Sequence, residues 1–272
     1  MQRLIKLPLK DTPDVERLRR AARAAPCDGD AQIALALSLC GAGCTYEAAS
    51  ILRPLRSHWK STADGQLANK AIESQAWWNK NWREFVLLKN SGQQQDALAL
   101  LGDRSPHYWD LPHLLVHLGD IAAENDQLAL ASHVYRRVTY LSERGPPKLD
   151  MASFAYVSQA GLIDVLCKSG DASAALKRHR ALKPNFGNAM AQEIQHVKLL
   201  VAAGNLDEAM LQAAALLGTA NNNRTGYSKD IRLAFIKSSP DLQQLRRRAD
   251  WTIMQRDPDA FLRTSKKPKR NL

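Results

Sequence analysis

The pattern that most constrains this chain is a helix-turn-helix signature that recurs along it, two of its steps being 34 residues long. One copy reads Leu115-x2-Leu118-Gly119-x11-Ala131-x3-Tyr135-x2-Val138. Another reads Val197-x2-Leu200-x3-Gly204-x4-Ala209-x3-Ala213-x2-Leu216. The alanines that anchor successive copies fall at Ala48, Ala97, Ala131, Ala175 and Ala209, separated by 49, 34, 44 and 34 residues. Steps of this size mark a supersecondary unit that cannot bury its apolar face alone and must stack on its neighbours. The expected architecture is therefore a row of about five helical hairpins over residues 29–217.

Composition agrees. Of 272 residues, 45% are apolar, enough for a core, yet only 6% are aromatic. Alanine and leucine dominate and long alternating runs are absent, which suits close helix packing and not a β-sandwich. The chain is expected to be all-α. No run reaches the length of a membrane span, and the apolar stretch within Met1–Lys10 is too short for a signal-peptide core. Cys27, Cys40, Cys44 and Cys167 lack the spacing of a disulfide framework. A reducing cytoplasm is the expected compartment.

The chain divides by pattern into an N-terminal segment with a capping helix (1–28), the hairpin array (29–217), closing helices (218–263) and a basic, disordered tail (264–272). Thr12-Pro13-Asp14-Val15-Glu16 is a helix start: a hydroxyl cap, proline at the first position, then acids near the positive end of the dipole. Gly43 breaks the first hairpin, and Pro54 kinks or ends its return helix. Residues 58–75 read as an extra helix or irregular link before a second hairpin, Ala76–Leu101, whose turn is at Gly92. Phe85 sits there where a small residue is expected. Trp109, in the loop Gly102–Pro112, is expected to plug a gap between repeats. Further hairpins are expected at Pro112–Leu141, Asp150–Leu182 and Asn188–Leu217, then helices at Ser228–Lys237 and Asp241–Arg256. The last should turn Leu242, Leu245, Ala249 and Ile253 inward and leave Arg246, Arg247 and Arg248 wet.

These residues resemble the tetratricopeptide repeat (TPR) family. Small side chains at Ala36, Gly119, Ala48, Ala131, Ala175 and Ala209 match the positions where two helices approach closely. Large ones at Leu39, Leu52, Tyr135, Leu166 and Leu200 match those between hairpins. The resemblance covers roughly residues 29–217, strongest in the third and fifth hairpins and poorest in the second; the family's tryptophan and closing proline are mostly missing. It implies a right-handed α-α superhelix, capped at both ends, that binds protein or peptide segments on a concave face built from the first helix of each hairpin. The matching positions include Asn79, Trp82, Arg83, Val86 and Lys89; His113, Val116, His117, Asp120 and Glu124; and Val157, Asp164, Lys168, Ile194 and Lys198. One family subtype clamps a terminal carboxylate with lysine and asparagine. Here the corresponding positions are Ile33/Leu37, Trp82/Val86 and Val116/Asp120, which cannot form that clamp.

Trp77, Trp78 and Trp82 form the most unusual local cluster. Aromatics at helical spacing serve either as binding anchors or as packing, here beneath the segment containing Trp59. His113 and His117 share a face, as do Cys40 and Cys44, but two ligands make no structural metal site and no cofactor is implied. The pattern His-Glu-x-x-His is absent. So are a phosphate-binding glycine loop, a nucleophile elbow and paired carboxylates, leaving nothing that meets the geometric requirements of catalysis. A non-catalytic protein- or peptide-binding adaptor or scaffold is therefore the expected function.

A net charge of +11 keeps a second class open. Basic faces at Arg136-Arg137, Lys177-Arg178-His179-Arg180 and Arg246-Arg247-Arg248, with Lys266 and Lys267 in the tail, permit contact with nucleic acid or an acidic partner. Self-assembly into a homo-oligomer through the end helices is a third reading.

Overall fold

The computed structural model describes residues 2–55, 65–144, 149–182, 189–218 and 229–265. Among them the regular structure is helical, and the β structure is limited to one isolated antiparallel bridge between Cys44 and Tyr108. The chain forms two compact units, Met1–Leu162 and Ile163–Leu272.

Unit 1 begins with a 3-10 turn, Gln2–Lys6, then α1 (Pro13–Ala24), α2 (Gly29–Gly41) and α3 (Thr45–Leu52). Thr12 caps α1 as its sequence dictates, its hydroxyl accepting from Val15 N–H at 3.3 Å, and Val15 and Ala22 turn inward. Leu35, Ala36 and Leu39 of α2 bury against Ala48, Ala49 and Leu52 of α3. Helix α3 stops before Pro54, so that proline ends the helix without kinking it.

The second hairpin differs from expectation. Its first helix, α4 (Gly65–Asn90), runs unbroken for 26 residues, so residues 65–75 belong to the hairpin and not to a separate link. No glycine or proline interrupts residues 66–90, and nothing stops the helix once started. Residues 56–64, with Trp59, lie outside the described residues. The chain reverses at Gly92 (φ +80°) into α5 (Gln94–Leu101).

A 3-10 turn, Gly102–His107, leads to α6 (Pro112–Glu124), α7 (Leu128–Arg144) and α8 (Leu149–Lys168), within which the boundary with unit 2 falls. Tyr135 of α7 is seated between two glycines. A Cβ on Gly119 would lie 2.6 Å from its ring, and one on Gly161 would overlap it too. The Tyr135 hydroxyl donates to Asp120 at 2.8 Å.

The segment after the second 3-10 turn is stitched to the first hairpin. Trp109 N–H donates to Gly43 O at 3.0 Å, and the Thr45 hydroxyl donates to His107 O. Cys44 offers α3 no side-chain cap, and Asp110 supplies one from a distance, accepting from Glu47 N–H at 2.6 Å. Trp109 is fully buried, as a gap-plugging residue should be.

Beneath it lies a buried ionic knot. Arg137 is 1% exposed. Its guanidinium donates to Trp109 O and Leu9 O, both at 3.0 Å, and to the Asp11 carboxylate at 3.1 Å. Asp11 also accepts from Arg19 at 2.9 Å and Arg144 at 2.7 Å, while Glu47 bonds the same two arginines. Burial alone would raise the Asp11 pKa, but the charges of Arg137, Arg144 and Arg19 outweigh it and hold the carboxyl below the ordinary aspartate value.

Unit 2 continues with α9 (Ala172–Ala181), α10 (Ala189–Ala202), α11 (Leu206–Leu217) and α12 (Lys229–Ser238), with left-handed glycines at Gly170 and Gly204 in the turns. A 3-10 turn, Pro240–Leu242, precedes α13 (Gln243–Arg246), α14 (Trp251–Arg256) and α15 (Pro258–Ser265). Val197, Leu200, Ala209, Ala213 and Leu216 form its core with Ile236, Leu242 and Leu245. The expected single helix over Asp241–Arg256 is broken at residues 247–250. There the Arg248 guanidinium folds back onto Asp250, with N–O distances of 3.0 Å. The break puts the apolar stripe out of phase. Leu242 and Leu245 are buried as expected, but Ala249 is exposed and Ile253 is 65% exposed, while Trp251 and Met254 turn inward. Helix α15 extends to Ser265, and the remaining tail, with Lys266 and Lys267, lies outside the described residues.

Candidate functional site

Helix α4 carries Trp78, Trp82 and Phe85 at spacings of four and three, on one face; α6 carries His113, His117 and Asp120 likewise. The two stripes meet. Trp82 stands edge-on to His113 with ring centroids 4.7 Å apart, and lies 5.6 Å from His117. Trp78 and Phe85 are buried under them, and Phe154 of α8 approaches His113 at 6.3 Å. Phe85, unexpectedly large for its position, is fully buried, with Trp82 stacked on it at 6.1 Å. One turn further along, Lys89 pairs with Asp120 at 3.3 Å.

Trp82, His113 and His117 remain half-buried, while Asn79 and Arg83 are exposed; Asn79 accepts from the Tyr46 hydroxyl at 3.3 Å. Burial, reinforced by His117, pushes the His113 pKa down to about 4. Burial and the Lys89 charge lower His117 as well, against the pull of Asp120. Both imidazoles are thus uncharged rings at neutral pH and extend the indole surface. His117 Nδ1 is buried with no hydrogen-bond partner among the described residues.

Of the sequence-derived contact residues, Asn79, Trp82, Arg83, Lys89, His113, His117 and Asp120 all fall on α4 and α6 of unit 1. Val116 is buried and offers no surface. Asp164 and Lys198 belong to unit 2. Asp164 accepts from Gln195 at 3.0 Å; burial raises its pKa, opposed by Lys168 and Lys198. Lys198 pairs with Asp241 at 3.2 Å.

The basic residues fare differently. Arg136, Lys177 and Arg247 are exposed, and Arg178 is half-buried. Arg137 corrects the sequence-based reading: it faces inward into the ionic knot, since a guanidinium with Asp11 and two carbonyls as partners is held there. Arg180 pairs with Glu208 at 2.7 Å, Arg248 pairs with Asp207 at 2.8 Å and with Asp250, and Arg246 donates to Lys237 O. Arg137, Arg180 and Arg248 are thus paired with carboxylates.

Sequence reasoning missed one feature of unit 1, a cleft of about 370 Å³ lined by Lys70, Ser74, Trp77, Arg104 and His107, with Cys40 and Glu73. The Arg104 guanidinium lies 4.8 Å from the centre of the Trp77 ring. The cleft brings residues 70–77 of α4 together with Cys40 of α2 and the turn carrying Arg104 and His107, and these three segments share no motif, so no local signal announces it. Burial, with the Asp110 charge adding to it, pushes the Cys40 thiol up to about 11, which keeps it unreactive. Among the described residues no group of three or more His, Cys, Asp or Glu is placed to hold a metal ion, and no helix is long and apolar enough to cross a membrane.

The imidazoles predict a pH dependence. Folded His113 takes a proton only near pH 4, against 6.5 ordinarily, so the stability it confers is complete above pH 6.5 and is lost as pH falls toward 4. Asp110, pushed up to about 7 by burial, acts in the opposite sense and favours the fold as pH falls below 7. Comparing the native chain with His113→Gln isolates the first effect: the stability difference measured by urea unfolding should shrink steadily on acidification. A difference independent of pH would mean that the imidazole is solvated.

Comparison with protein-family models, with curated proteins and with solved structures found no match.

Proposed function

We propose that this chain is a non-catalytic, TPR-like scaffold of the cytoplasm that holds a protein or peptide segment against the first helices of its hairpins. The observation that carries this reading is the α4–α6 face: a half-buried tryptophan flanked by two neutral imidazoles, with exposed Asn79 and Arg83 and the Lys89–Asp120 pair around it. Half-buried aromatics on a rigid helical base are preorganised anchors, because little side-chain entropy remains to be lost on binding. The same side chains offer no nucleophile–base pair, so the role proposed is holding and not chemistry. Nucleic-acid binding is the weaker alternative, since Arg137, Arg180 and Arg248 already have carboxylate partners.

The test compares the native chain with Trp82→Ala as baits in native lysate, with and without nuclease treatment and at low and moderate salt. The native bait is expected to retain a defined protein that Trp82→Ala loses, while the variant melts within about 5 °C of the native chain. Retention of the same protein by both baits would place Trp82 in packing alone. Recovery of nucleic acid only, lost on adding salt, would favour the basic surface.

A further inference from the structure

Trp77 stands apart from Trp78 and Trp82: it borders the cleft at Arg104, on another face of α4. Leu67, Ala71, Ser74 and Trp77 recur every three or four residues, with Lys70 beside them, and so form one stripe. The 3-10 turn carrying Arg104 and His107 lines the same cleft. Its walls are fixed. Trp77 stacks on Tyr108 with ring centroids 6.3 Å apart and planes 18° apart. The Tyr108 hydroxyl donates to Ser74 O at 3.0 Å and accepts from the Ser74 hydroxyl at 3.1 Å, while the Thr45 hydroxyl holds His107 O. A cleft fixed in this way needs little ordering when it takes a ligand.

The floor is apolar: Leu67 is 42% exposed, Trp77 is half-buried and Ala71 is buried. Beside it stand two exposed cations. The Arg104 guanidinium lies over the Trp77 ring at 4.8 Å, yet among the described residues it makes no hydrogen bond and no ion pair. A cation over an aromatic face keeps its N–H groups for another partner. Lys70 likewise has no ion pair among the described residues, although Glu73 follows it by three positions on the same helix. A guanidinium fork and an ammonium both suit phosphate, and two cations favour a dianionic phosphate monoester over a carboxylate. We propose that this cleft binds a small phosphate monoester with an aromatic body, its phosphate taken by Arg104 and Lys70 and its ring laid on Leu67 and Ala71 beside Trp77. The volume of about 370 Å³ is at the lower end of the range for small-molecule sites, which sets the body at about one ring system. Glu73, exposed at the rim, repels further negative charge and limits the ligand to one anionic group. The cleft lies on another face of α4 from Trp82, so neither assignment depends on the other.

The test titrates the full chain calorimetrically with phenyl phosphate, inorganic phosphate and phenol as probes. Phenyl phosphate should bind once per chain with a Kd of about 1 mM or tighter, in keeping with its size. Inorganic phosphate and phenol should each bind at least about tenfold more weakly, because one leaves the apolar floor unused and the other the cations. Arg104→Gln should weaken phenyl phosphate at least about tenfold through the lost charge-assisted hydrogen bonds. Its melting temperature should stay that of the native chain, since Arg104 is exposed, so the loss is one of ligand contact and not of fold. Arg20→Gln changes an exposed arginine of α1 that does not line the cleft and should leave the affinity unchanged. Absence of saturable binding overturns the proposal, as does an Arg104→Gln chain that binds as tightly as the native one. Equal affinity for inorganic phosphate, or equal weakening by Arg20→Gln, overturns it too.

Discussion

Asp11→Ala is expected to cost unit 1 about 3–5 kcal/mol of unfolding free energy, the range for breaking a buried ion pair by removing one partner. The cause is what stays behind. Arg137 is 1% exposed and loses its ion-pair partner, while Arg19 and Arg144 keep Glu47. Because the folded Asp11 pKa lies below 3.8, its contribution is complete above pH 3.8 and lost only below it, so the penalty should be as large at pH 5 as at pH 7. Denaturant unfolding followed by tryptophan fluorescence checks this. Adding Arg137→Met to Asp11→Ala should recover part of the loss, since the buried charge is then gone too. Strict additivity of the two substitutions would show that they do not share one network.

Gly43→Ala is the second large effect, about 2–4 kcal/mol, combining a left-handed backbone position with overpacking. Gly43 has φ +79°, and an added Cβ would run into the carbonyl oxygen of Pro106, a backbone atom with no rotamer to escape through. The hydrogen bond from Trp109 N–H to Gly43 O fixes that approach. Gly92 provides the control: its φ is +80°, but nothing lies within 4 Å of where an added methyl would stand, so Gly92→Ala should cost only about 1 kcal/mol. Similar losses at the two positions would mean that φ alone sets the cost.

The helices were legible because their signals are local. Thr12-Pro13 starts α1, glycines at 43, 92, 170 and 204 all reverse the chain with positive φ, and the alanine series lands in buried helix faces. The α4–α6 face was legible too, since spacings of three and four fix which side chains share a stripe. What escaped was long-range. Arg137 reads as half of a surface dibasic pair until Asp11, 126 residues earlier, is placed against it. Ile253 continues an apolar period that the break at residues 247–250 puts out of phase. The cleft at Trp77 and Arg104 is made by tertiary proximity alone.

The ionic knot also sets an order of assembly. Asp11 leaves the ribosome before its partners, since Arg137 and Arg144 follow 126 and 133 residues later. At about 5–20 residues per second, the opening segment waits several seconds or more for its site to be translated. Hairpins with short-range contacts can close as they emerge, whereas this closure pairs the oldest part of unit 1 with one of its newest. Residues made well before their partners are thus among the last of unit 1 to find their place, and a nascent chain halted before Arg137 would leave Asp11 unclaimed.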